Sequence, residues 1–297
     1  MINLAGAPWV EKPSIVERAV KFLVLAVITI MVIYPFIAVL ATSLATEADV
    51  VANGGLVLWP AHPTLESYRT ILEGGVITHA VVVSVFVTTI GTLLSMAVSV
   101  ALAYGLSRPI IGRRGFLLVV LFTLFFFPGI IPNYLMVKQL GLLNSYASLI
   151  IPVLINAFNV IILRQFFMNI PQELVDSARI DGAGDLSILI KIILPLSKAV
   201  LAVIALFYAV AYWNNFFNAL LYLNDSSTWP LPLVLRLYVI QGAHLPGAMS
   251  FGVDTTPPPE QAIQMAVVVI AVIPILLVYP FLQKYFTTGV LSGAIKG

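Results

Sequence analysis

Cysteine is absent from this sequence of 297 residues, which excludes a disulfide framework and any metal site built on thiolates. Histidine is scarce as well, because His62, His79 and His244 lie far apart and show no metal-ligand spacing. Charged residues make up only 9% of the chain, whereas a soluble domain averages about 25%. The net charge of +2 is too small to indicate a nucleic-acid partner. Hydrophobic residues reach 60%, so the composition predicts a membrane protein in contact with lipid.

The apolar residues fall in six runs, each long enough to cross a bilayer, which takes about 20 residues. The first run has no charge from Phe22 to Leu40, which is too long for a signal-peptide core. We expect this helix to be retained, with a cleaved leader as the alternative. The sequence therefore predicts an all-α membrane protein with six transmembrane helices, near 19–41, 79–106, 115–136, 147–168, 197–222 and 263–284.

Lysine and arginine are unevenly distributed between the two sets of loops that these helices create. If the N-terminus is cytoplasmic, twelve of the 15 basic residues lie on the cytoplasmic side, and Arg69, Lys138 and Arg236 lie outside. This bias follows the positive-inside rule and predicts that both termini are cytoplasmic. The predicted organisation is a cytoplasmic segment 1–18, a single transmembrane domain 19–285, and a cytoplasmic tail 286–297.

Proline and glycine interrupt the predicted helices and loops on the outer side. Pro128, Gly129 and Pro132 lie near the outer end of the third helix. They indicate either a helix stop at the membrane surface or a kink that opens a water-filled vestibule. The outer loop 42–78 is turn-rich and has room for a short surface helix. The outer loop 223–262 is interpreted either as an irregular cap over the helices or as a landing surface for an external partner.

Side-chain amides and aromatic rings occur together in the fourth and fifth helices. Buried amides in a span usually bond to a neighbouring helix, and that structural role is one interpretation. Several amides among aromatic rings favour a polar cavity instead, because aromatic faces suit the apolar faces of sugar rings while amides suit their hydroxyls. The candidate translocation path consists of Asn156, Asn159, Tyr212, Trp213, Asn214, Asn215 and Asn218.

A polar segment at 171–195 separates the fourth and fifth helices on the predicted cytoplasmic side. Pro171 suits the first position of a helix with Asn169 as its cap, Gly182 suits a left-handed stop, and Asp185 suits the cap of a second helix that runs to Pro195. Asp176 and Arg179 are three residues apart and can pair. The segment is therefore either a solvated loop or two short helices that form a docking surface. A docking surface accounts better for the two small residues, Ala178 and Gly182, which leave room for another protein's backbone.

The spacing in this segment resembles the EAA loop of the permease subunits of binding-protein-dependent ABC importers. The family pattern is Glu-Ala-Ala, three residues, Gly, nine residues, Ile, one residue, Leu-Pro. This chain has Asp176-Ser177-Ala178, Gly182, Ile192 and Leu194-Pro195 at that spacing, with Asp-Ser replacing Glu-Ala. Trp213-Asn214-Asn215-Phe216 is similar to a motif of sugar permeases, and the ending Gly293-Ala294-Ile295-Lys296-Gly297 is similar to the terminus of the smaller maltose-type permease.

The resemblance implies a type I ABC importer permease fold in a bacterial cytoplasmic (inner) membrane. It implies a heterodimer with a second homologous permease subunit, two cytoplasmic ABC ATPase subunits, and an extracytoplasmic solute-binding protein. The sequence has no Gly-x-x-x-x-Gly-Lys-Ser/Thr motif, so ATP and Mg²⁺ are expected in the ATPase subunits and the chain itself is expected not to be an enzyme. The implied coupling residues are Glu173, Asp176, Ser177, Ala178, Asp181, Gly182, Ala183, Ile192, Leu194 and Pro195.

The outer loop 42–78 begins with Thr42-Ser43-Leu44-Ala45-Thr46, which leads into Gly54-Gly55, and with these residues it resembles the LplC/YtcP-like group within this family. The group is linked to complex oligosaccharides, including uronate-containing ones such as pectin fragments or alginate, so import of such a sugar is the expected function. The tail is either a disordered end or an extension toward the ATPase interface.

Other classes of membrane protein fit the sequence less well. An ion-coupled secondary transporter is the main alternative, but none of the six predicted spans contains Asp or Glu. A membrane enzyme needs a catalytic constellation that the sequence does not show, and a channel does not account for the segment 171–195.

Overall fold

The computed structural model describes residues 14–73, 75–240 and 259–294, and within these ranges the secondary structure is helical with no strand. Turns of 3₁₀-helix at Ile151–Val153 and Ser226–Thr228 and of π-helix at Leu189–Ile193 and Arg236–Ile240 accompany the α-helices. The α-helices are α1 (Ile15–Ser43), α2 (Glu47–Ala52), α3 (Glu66–Glu73), α4 (Val76–Ser107), α5 (Arg113–Phe125), α6 (Ile130–Gln139), α7 (Ala147–Ile150), α8 (Ala157–Met168), α9 (Gln172–Ile180), α10 (Asp185–Ile188), α11 (Leu194–Leu196), α12 (Lys198–Trp213), α13 (Phe216–Tyr222), α14 (Leu231–Leu235) and α15 (Glu260–Ala294).

Helix α1 begins at a capping box, four residues before the predicted span 19–41, and ends two residues after it. The Ser14 hydroxyl accepts from the Glu17 amide at 3.1 Å, and the Glu17 carboxylate accepts from the Ser14 amide at 2.9 Å. The helix has 29 residues, so it is about 43 Å long. Phe22 and Phe36 and most other apolar side chains on it are exposed in the isolated chain. Such a surface requires lipid or a partner helix around it.

Three spans are unbroken and three are bent among the residues that are described. Helices α1, α4 and the Glu260–Val278 part of α15 are each long and apolar enough to cross a membrane. The bent pairs are Arg113–Phe125 with Ile130–Gln139 (119°), Ala147–Val153 with Ala157–Met168 (53°), and Asp185–Leu196 with Lys198–Trp213 (87°). The total reaches six when each bent pair is one span. By length and composition, the described residues therefore contain three clear spans and up to six. The predicted fifth helix 197–222 is not continuous, because α12 ends at Trp213 and α13 begins at Phe216.

The sharpest bend lies where the sequence left two interpretations open. Helix α5 ends at Phe125, and α6 begins at Ile130 after Gly129, which has a φ of 88°. Pro128 lacks an amide hydrogen and restricts the residue before it, so the helix ends there and restarts. Both a stop and a change of direction are present at this position.

Helix α15 is longer than the predicted sixth span. It continues to Ala294, so the described part of the predicted tail 286–297 has a helical backbone. Parts of the predicted organisation lie outside the described residues, namely 295–297, the predicted N-terminal segment as far as residue 13, and residues 241–258 of the outer loop 223–262.

The chain folds into two compact units. The first comprises Met1–Thr70 and Gly252–Val269, and the second comprises Ile71–Phe251 and Ile270–Gly297.

In the first unit, polar side chains hold the segment that follows α1. The Thr42 hydroxyl accepts from the Val57 amide at 2.9 Å and donates to the Val57 carbonyl at 3.2 Å. Burial of Asp49 disfavours its charge, but hydrogen bonds from His62, Thr46 and Ala61 outweigh burial, and the pKa of Asp49 is lowered. The predicted turn-rich loop therefore contains two short helices, α2 and α3, and a defined hydrogen-bond network.

In the second unit, α4 packs against α8 and α12, and these three helices contain the centre of the core. Val160, Leu163 and Ile204 are fully buried at their contacts. Helix α14 also packs against α4, with Leu231 and Leu233 fully buried. The residues 231–235 of the outer loop 223–262 are thus part of the bundle and not an irregular cap.

Candidate functional site

A polar cavity of about 400 Å³ lies between α8, α12 and α13 in the second unit. Its wall combines four side-chain amides with two tyrosines, two phenylalanines and small apolar groups. No charged side chain contributes to this wall. The lining residues are Val153, Asn156, Phe158, Asn159, Phe207, Tyr208, Ala211, Tyr212, Asn215 and Asn218. The structure therefore brings together five of the seven predicted path residues, from two separate helices of the sequence.

The amides reach the cavity from breaks in the helices as well as from helix faces. Asn156 is extended at the N-cap of α8, where its side-chain oxygen accepts from the Asn159 amide at 3.2 Å. Asn215 occupies the corresponding position before α13. Asn156 lies between the 3₁₀ turn Ile151–Val153 and the first turn of α8, so its side chain reaches the cavity from a break in the fourth predicted span.

Most of the amide groups in the cavity are free to bind a ligand. The side chains of Asn159, Asn215 and Asn218 form no hydrogen bond with any described residue. Asn159 is only 4% exposed. A buried amide without a partner is costly, so these groups are suited to bind hydroxyls or water in the cavity.

Two tyrosine hydroxyls connect the cavity wall to α4. Tyr212 is 2.8 Å from the Ser95 hydroxyl, and Tyr208 is 2.6 Å from the Ser99 hydroxyl. Tyr208 also accepts from the backbone amide of Asn156 at 3.0 Å. The sequence analysis missed Tyr208 and both serines. Their signal is a matched spacing of four residues on each helix, which places each pair on one face.

The close approach of α4 and α12 depends on Gly91. A Cβ atom at this position would lie 2.7 Å from Cζ of Tyr212. Because Gly91 has no Cβ, the Tyr212 ring packs directly against the α4 backbone, and in this position it lines the cavity.

Trp213 and Asn214 do not line the polar cavity. Trp213 borders a separate apolar groove of about 330 Å³, lined mainly by α4, α12 and α15. Its indole N–H donates to the Ala271 carbonyl at 3.2 Å. Ala271 lies three residues before Pro274, and this proline disturbs the backbone hydrogen bonds of α15 because it lacks an amide hydrogen. Asn214 is exposed, and its amide donates to the Val210 carbonyl at 2.8 Å. The contacts of both residues are structural.

The second candidate element is the segment 171–195, which consists of α9, a turn at Gly182, α10 and the helical residues after it. Gly182 has a φ of 83°, as the predicted left-handed stop requires. The Ala183 amide donates to the Ala178 carbonyl at 2.9 Å across this turn. The two short helices of the docking interpretation are therefore present.

One side of this segment attaches it to the bundle. Val175 and Ile188 are buried, and Ala178 and Ala183 pack against the same core. The Tyr104 hydroxyl donates to the Asp185 carbonyl at 3.1 Å and so joins the end of α4 to the start of α10. Ala178 thus contacts this chain's own helices, while Gly182 is exposed.

The other side of the segment is exposed and carries apolar and acidic groups together. Ile180 is 86% exposed and Leu186 is 69% exposed. Glu173, Asp176, Ser177 and Asp181 are also exposed. Isolated exposed side chains of this size are common, but here they project from an ordered turn between two helices.

Three local details of the segment differ from the sequence prediction. Asn169 caps the end of α8, and Pro171 occupies the cap position of α9 because its extended backbone precedes the first turn. Asp185 is the first residue of α10 after the cap Gly184. Arg179 pairs with Asp185 at 3.4 Å, while Asp176 accepts from Gln172 at 3.2 Å. The left-handed turn brings Arg179 toward α10, which explains the change of partner.

The end of the segment contains the Ile192, Leu194 and Pro195 positions of the motif. Ile192 and Leu194 are partly buried against the core, and Pro195 is exposed. The helical run Asp185–Leu196 then meets α12 at 87°. The exposed turn is thereby connected through a short helical arm to α12, whose far end lines the cavity.

Comparison with known proteins gives this arrangement a context. Residues 109–292 match the model of the family described as binding-protein-dependent transport system inner membrane component. The match contains the segment 171–195 and every residue that lines the cavity.

Two relatives from Bacillus subtilis (strain 168) cover most of the chain. The polygalacturonan/rhamnogalacturonan transport system permease protein YtcP is 51% identical over 92% of this chain and 96% of its own length. Protein LplC is 45% identical over 89% of this chain and 90% of its own length.

A solved structure shares the fold. A chain of a bacterial ABC transporter involved in the import of the acidic polysaccharide alginate superposes with a TM-score of 0.86. It is 31% identical, and the match covers 93% of this chain and all of that one. The chain therefore has the fold of an ABC importer permease.

Proposed function

This chain belongs to the family of inner membrane components of binding-protein-dependent transport systems, and on that premise we propose that it forms half of the translocation path of an ATP-driven oligosaccharide importer. A second homologous permease subunit supplies the other half. Two cytoplasmic ATPase subunits drive the transporter, and an extracytoplasmic solute-binding protein delivers the sugar. The assembly lies in the bacterial cytoplasmic membrane with both termini of this chain on the cytoplasmic side.

The polar cavity is the observation that carries the proposal. Its amides and tyrosines match a sugar, which presents hydroxyls at its edges and C–H groups on its faces. A cavity volume of about 400 Å³ in one chain holds part of an oligosaccharide rather than the whole molecule. Three amide side chains in the cavity have no hydrogen-bond partner among the described residues, namely those of Asn159, Asn215 and Asn218. They form hydrogen bonds with one sugar hydroxyl after another as the sugar moves.

The segment 171–195 couples this path to ATP hydrolysis. Its exposed turn, with Ile180 and Gly182, docks in a cleft of an ATPase subunit. Closure of the two ATPase subunits then moves the turn, the arm Asp185–Leu196 and α12 together, and the permease pair alternates between inward-open and outward-open states. ATP and Mg²⁺ bind to the ATPase subunits, and this chain supplies force transmission rather than bond chemistry.

The named relatives narrow the class of sugar. One transports polygalacturonan and rhamnogalacturonan, and the structural relative belongs to an alginate importer. These polymers all contain uronate units. We therefore assign oligosaccharides with uronate units as the substrate.

The test is uptake by the purified transporter in liposomes, with a matched pair of neighbouring variants. Asn215→Leu removes an amide from the cavity, and Asn214→Leu removes an exposed amide that lies outside it. We expect Asn215→Leu to lower uptake about tenfold, the effect of one lost hydrogen bond to a buried polar partner, and Asn214→Leu to leave uptake nearly unchanged.

Equal effects of the two variants on uptake would show that the cavity is not part of the translocation path. Uptake that follows an ion gradient without ATP would instead identify the chain as an ion-coupled secondary transporter.

A further inference from the structure

Arg236 is a cation held within the second unit rather than on a loose outer loop. It is the first residue of the π-helical turn Arg236–Ile240, which continues α14. Helix α14 is anchored at Leu231, whose amide donates to the buried Ser84 hydroxyl at 2.8 Å. Leu233 and Val234, just before the arginine, are buried. The guanidinium is therefore positioned by an ordered, well-packed element.

Within the described ranges 14–73, 75–240 and 259–294, no negatively charged group neutralises the side chain of Arg236. Its guanidinium carbon lies 4.7 Å from the centre of the Phe216 ring, which is a cation–π contact. Its Nε atom is buried and has no hydrogen-bond partner. Among the residues that the structure describes, no carboxylate forms an ion pair with Arg236, whereas Arg179, for example, pairs with Asp185. A half-buried arginine without a carboxylate partner is unfavourable for the fold, and an anionic ligand would remove that cost.

Phe216 is not part of the cavity wall, but it lies in sequence between two residues that are. Phe216 is the first residue of α13, and its neighbours Asn215 and Asn218 both line the cavity. The guanidinium on the Phe216 ring is thus held at the end of α13 that delivers two amides to the cavity. The cavity wall itself contains only neutral groups, which bind hydroxyls but do not compensate the charge of a carboxylate.

We propose that Arg236 is a carboxylate-binding residue, which pairs with a uronate unit of the oligosaccharide while neighbouring hydroxyls contact the amides of the cavity. A guanidinium suits this role because it forms two parallel, charge-assisted hydrogen bonds to one carboxylate. The Phe216 ring holds the guanidinium in place and lowers the entropy lost on binding. This assignment rests on the proposed function, because it specifies how the same path selects an acidic sugar.

The experiment compares two forms of one sugar in the complete transporter. Uptake is measured for a uronate trisaccharide and for its methyl ester, which keeps the rings and hydroxyls but has no negative charge. Each variant is assembled with the same partner subunits and the same binding protein at saturation. The preference of the binding protein therefore cancels when the acid-to-ester ratio is compared between variants.

Arg236→Gln is expected to lower uptake of the acid about tenfold, as for one lost charge-assisted interaction, and to leave uptake of the ester unchanged. Lys138→Gln is the control, since it also removes one basic residue from the predicted outer side but at an exposed position. That variant is expected to keep the acid-to-ester ratio of the natural chain.

Each other outcome has a defined meaning. An unchanged ratio in Arg236→Gln, or an equal loss for acid and ester, overturns the assignment and leaves the arginine as a structural partner of Phe216. If Arg236→Gln does not assemble, Phe216→Leu takes its place and must lower the acid-to-ester ratio. If the wild-type transporter imports neutral oligosaccharides but neither form of the uronate sugar, the proposed substrate class is refuted before any variant is considered.

Discussion

Gly91→Ala tests the contact that seats Tyr212 in the cavity wall. The new Cβ would lie 2.7 Å from the ring, whereas ordinary contact begins at 3.4 Å, so the ring must move by at least 0.7 Å. Overpacking of this kind costs about 1–3 kcal/mol, and the displaced hydroxyl loses its bond to Ser95, which costs about 1 kcal/mol. Alanine returns about 1 kcal/mol through its higher helix propensity. We expect a net loss of unfolding free energy of about 1–3 kcal/mol and lower uptake.

Gly105→Ala is the matched control, because it lies on the same helix and its Cβ would meet nothing within 4 Å. Only the propensity gain applies there, so the variant should be stabilised by up to about 1 kcal/mol. Thermal unfolding of the purified complex and sugar uptake measure both effects. Combining Gly91→Ala with Tyr212→Leu should recover part of the lost stability, since the opposing ring is then gone. Equal stability and uptake in the two single alanine variants would refute the close packing of α4 on α12.

Two further predictions concern the exposed turn and the first unit. Ile180→Asp should abolish both co-purification of the ATPase subunits and ATP-dependent uptake. The control Ile111→Asp, at a fully exposed isoleucine of another loop on the predicted cytoplasmic side, should retain both. Loss in both variants, or in neither, contradicts the docking assignment. Because the pKa of Asp49 is lowered from 3.8, its contribution to stability is fully present above pH 3.8 and is lost as the pH falls through the lower folded value. Protection of the Ala61 and His62 amides, which is their hydrogen exchange rate relative to the intrinsic rate at the same pH, should therefore fall only below pH 3.8. Asp49→Asn should show low protection at higher pH as well, and a pH step that persists in this variant would assign the step to another group.

The chemistry of glycine and proline made several turns predictable. Gly182 was expected at a left-handed stop and has a positive φ, because the segment must reverse there and glycine does so without strain. Pro128 and Gly129 marked the bend between α5 and α6. These features depend on one or two residues, so a single sequence suffices to locate them.

The break in the fourth span was not predicted, although Pro152 was a visible signal for it. Apolar composition alone favoured one helix from 147 to 168, and composition does not reveal where backbone hydrogen bonds are lost. The Tyr208 hydroxyl supplies a partner for the Asn156 amide at the start of α8. The break is therefore stabilised by a residue that is 52 positions away, which local patterns do not report.

The sequence predicted the types of residue that line the candidate cavity, but not every residue that does so. Amides and aromatic rings indicated a polar cavity, and Asn156, Asn159, Tyr212, Asn215 and Asn218 line one. Trp213 and Asn214 belong to the same sequence motif but point elsewhere, because the helix ends at Trp213 and the chain turns before α13. The direction of each side chain at such a turn depends on tertiary packing.

A single oxygen atom, the hydroxyl of Tyr208, is shared by three segments of the bundle. It bonds to Ser99 on α4 and to the backbone at the start of α8, while its own ring belongs to α12. None of these segments can slide past another without breaking that junction. Each of these bonds opposes independent movement of the helix that it holds. If the cavity is half of a sugar path, as proposed, we expect widening for a bulky branched oligosaccharide to come more easily from the second permease than from this junction.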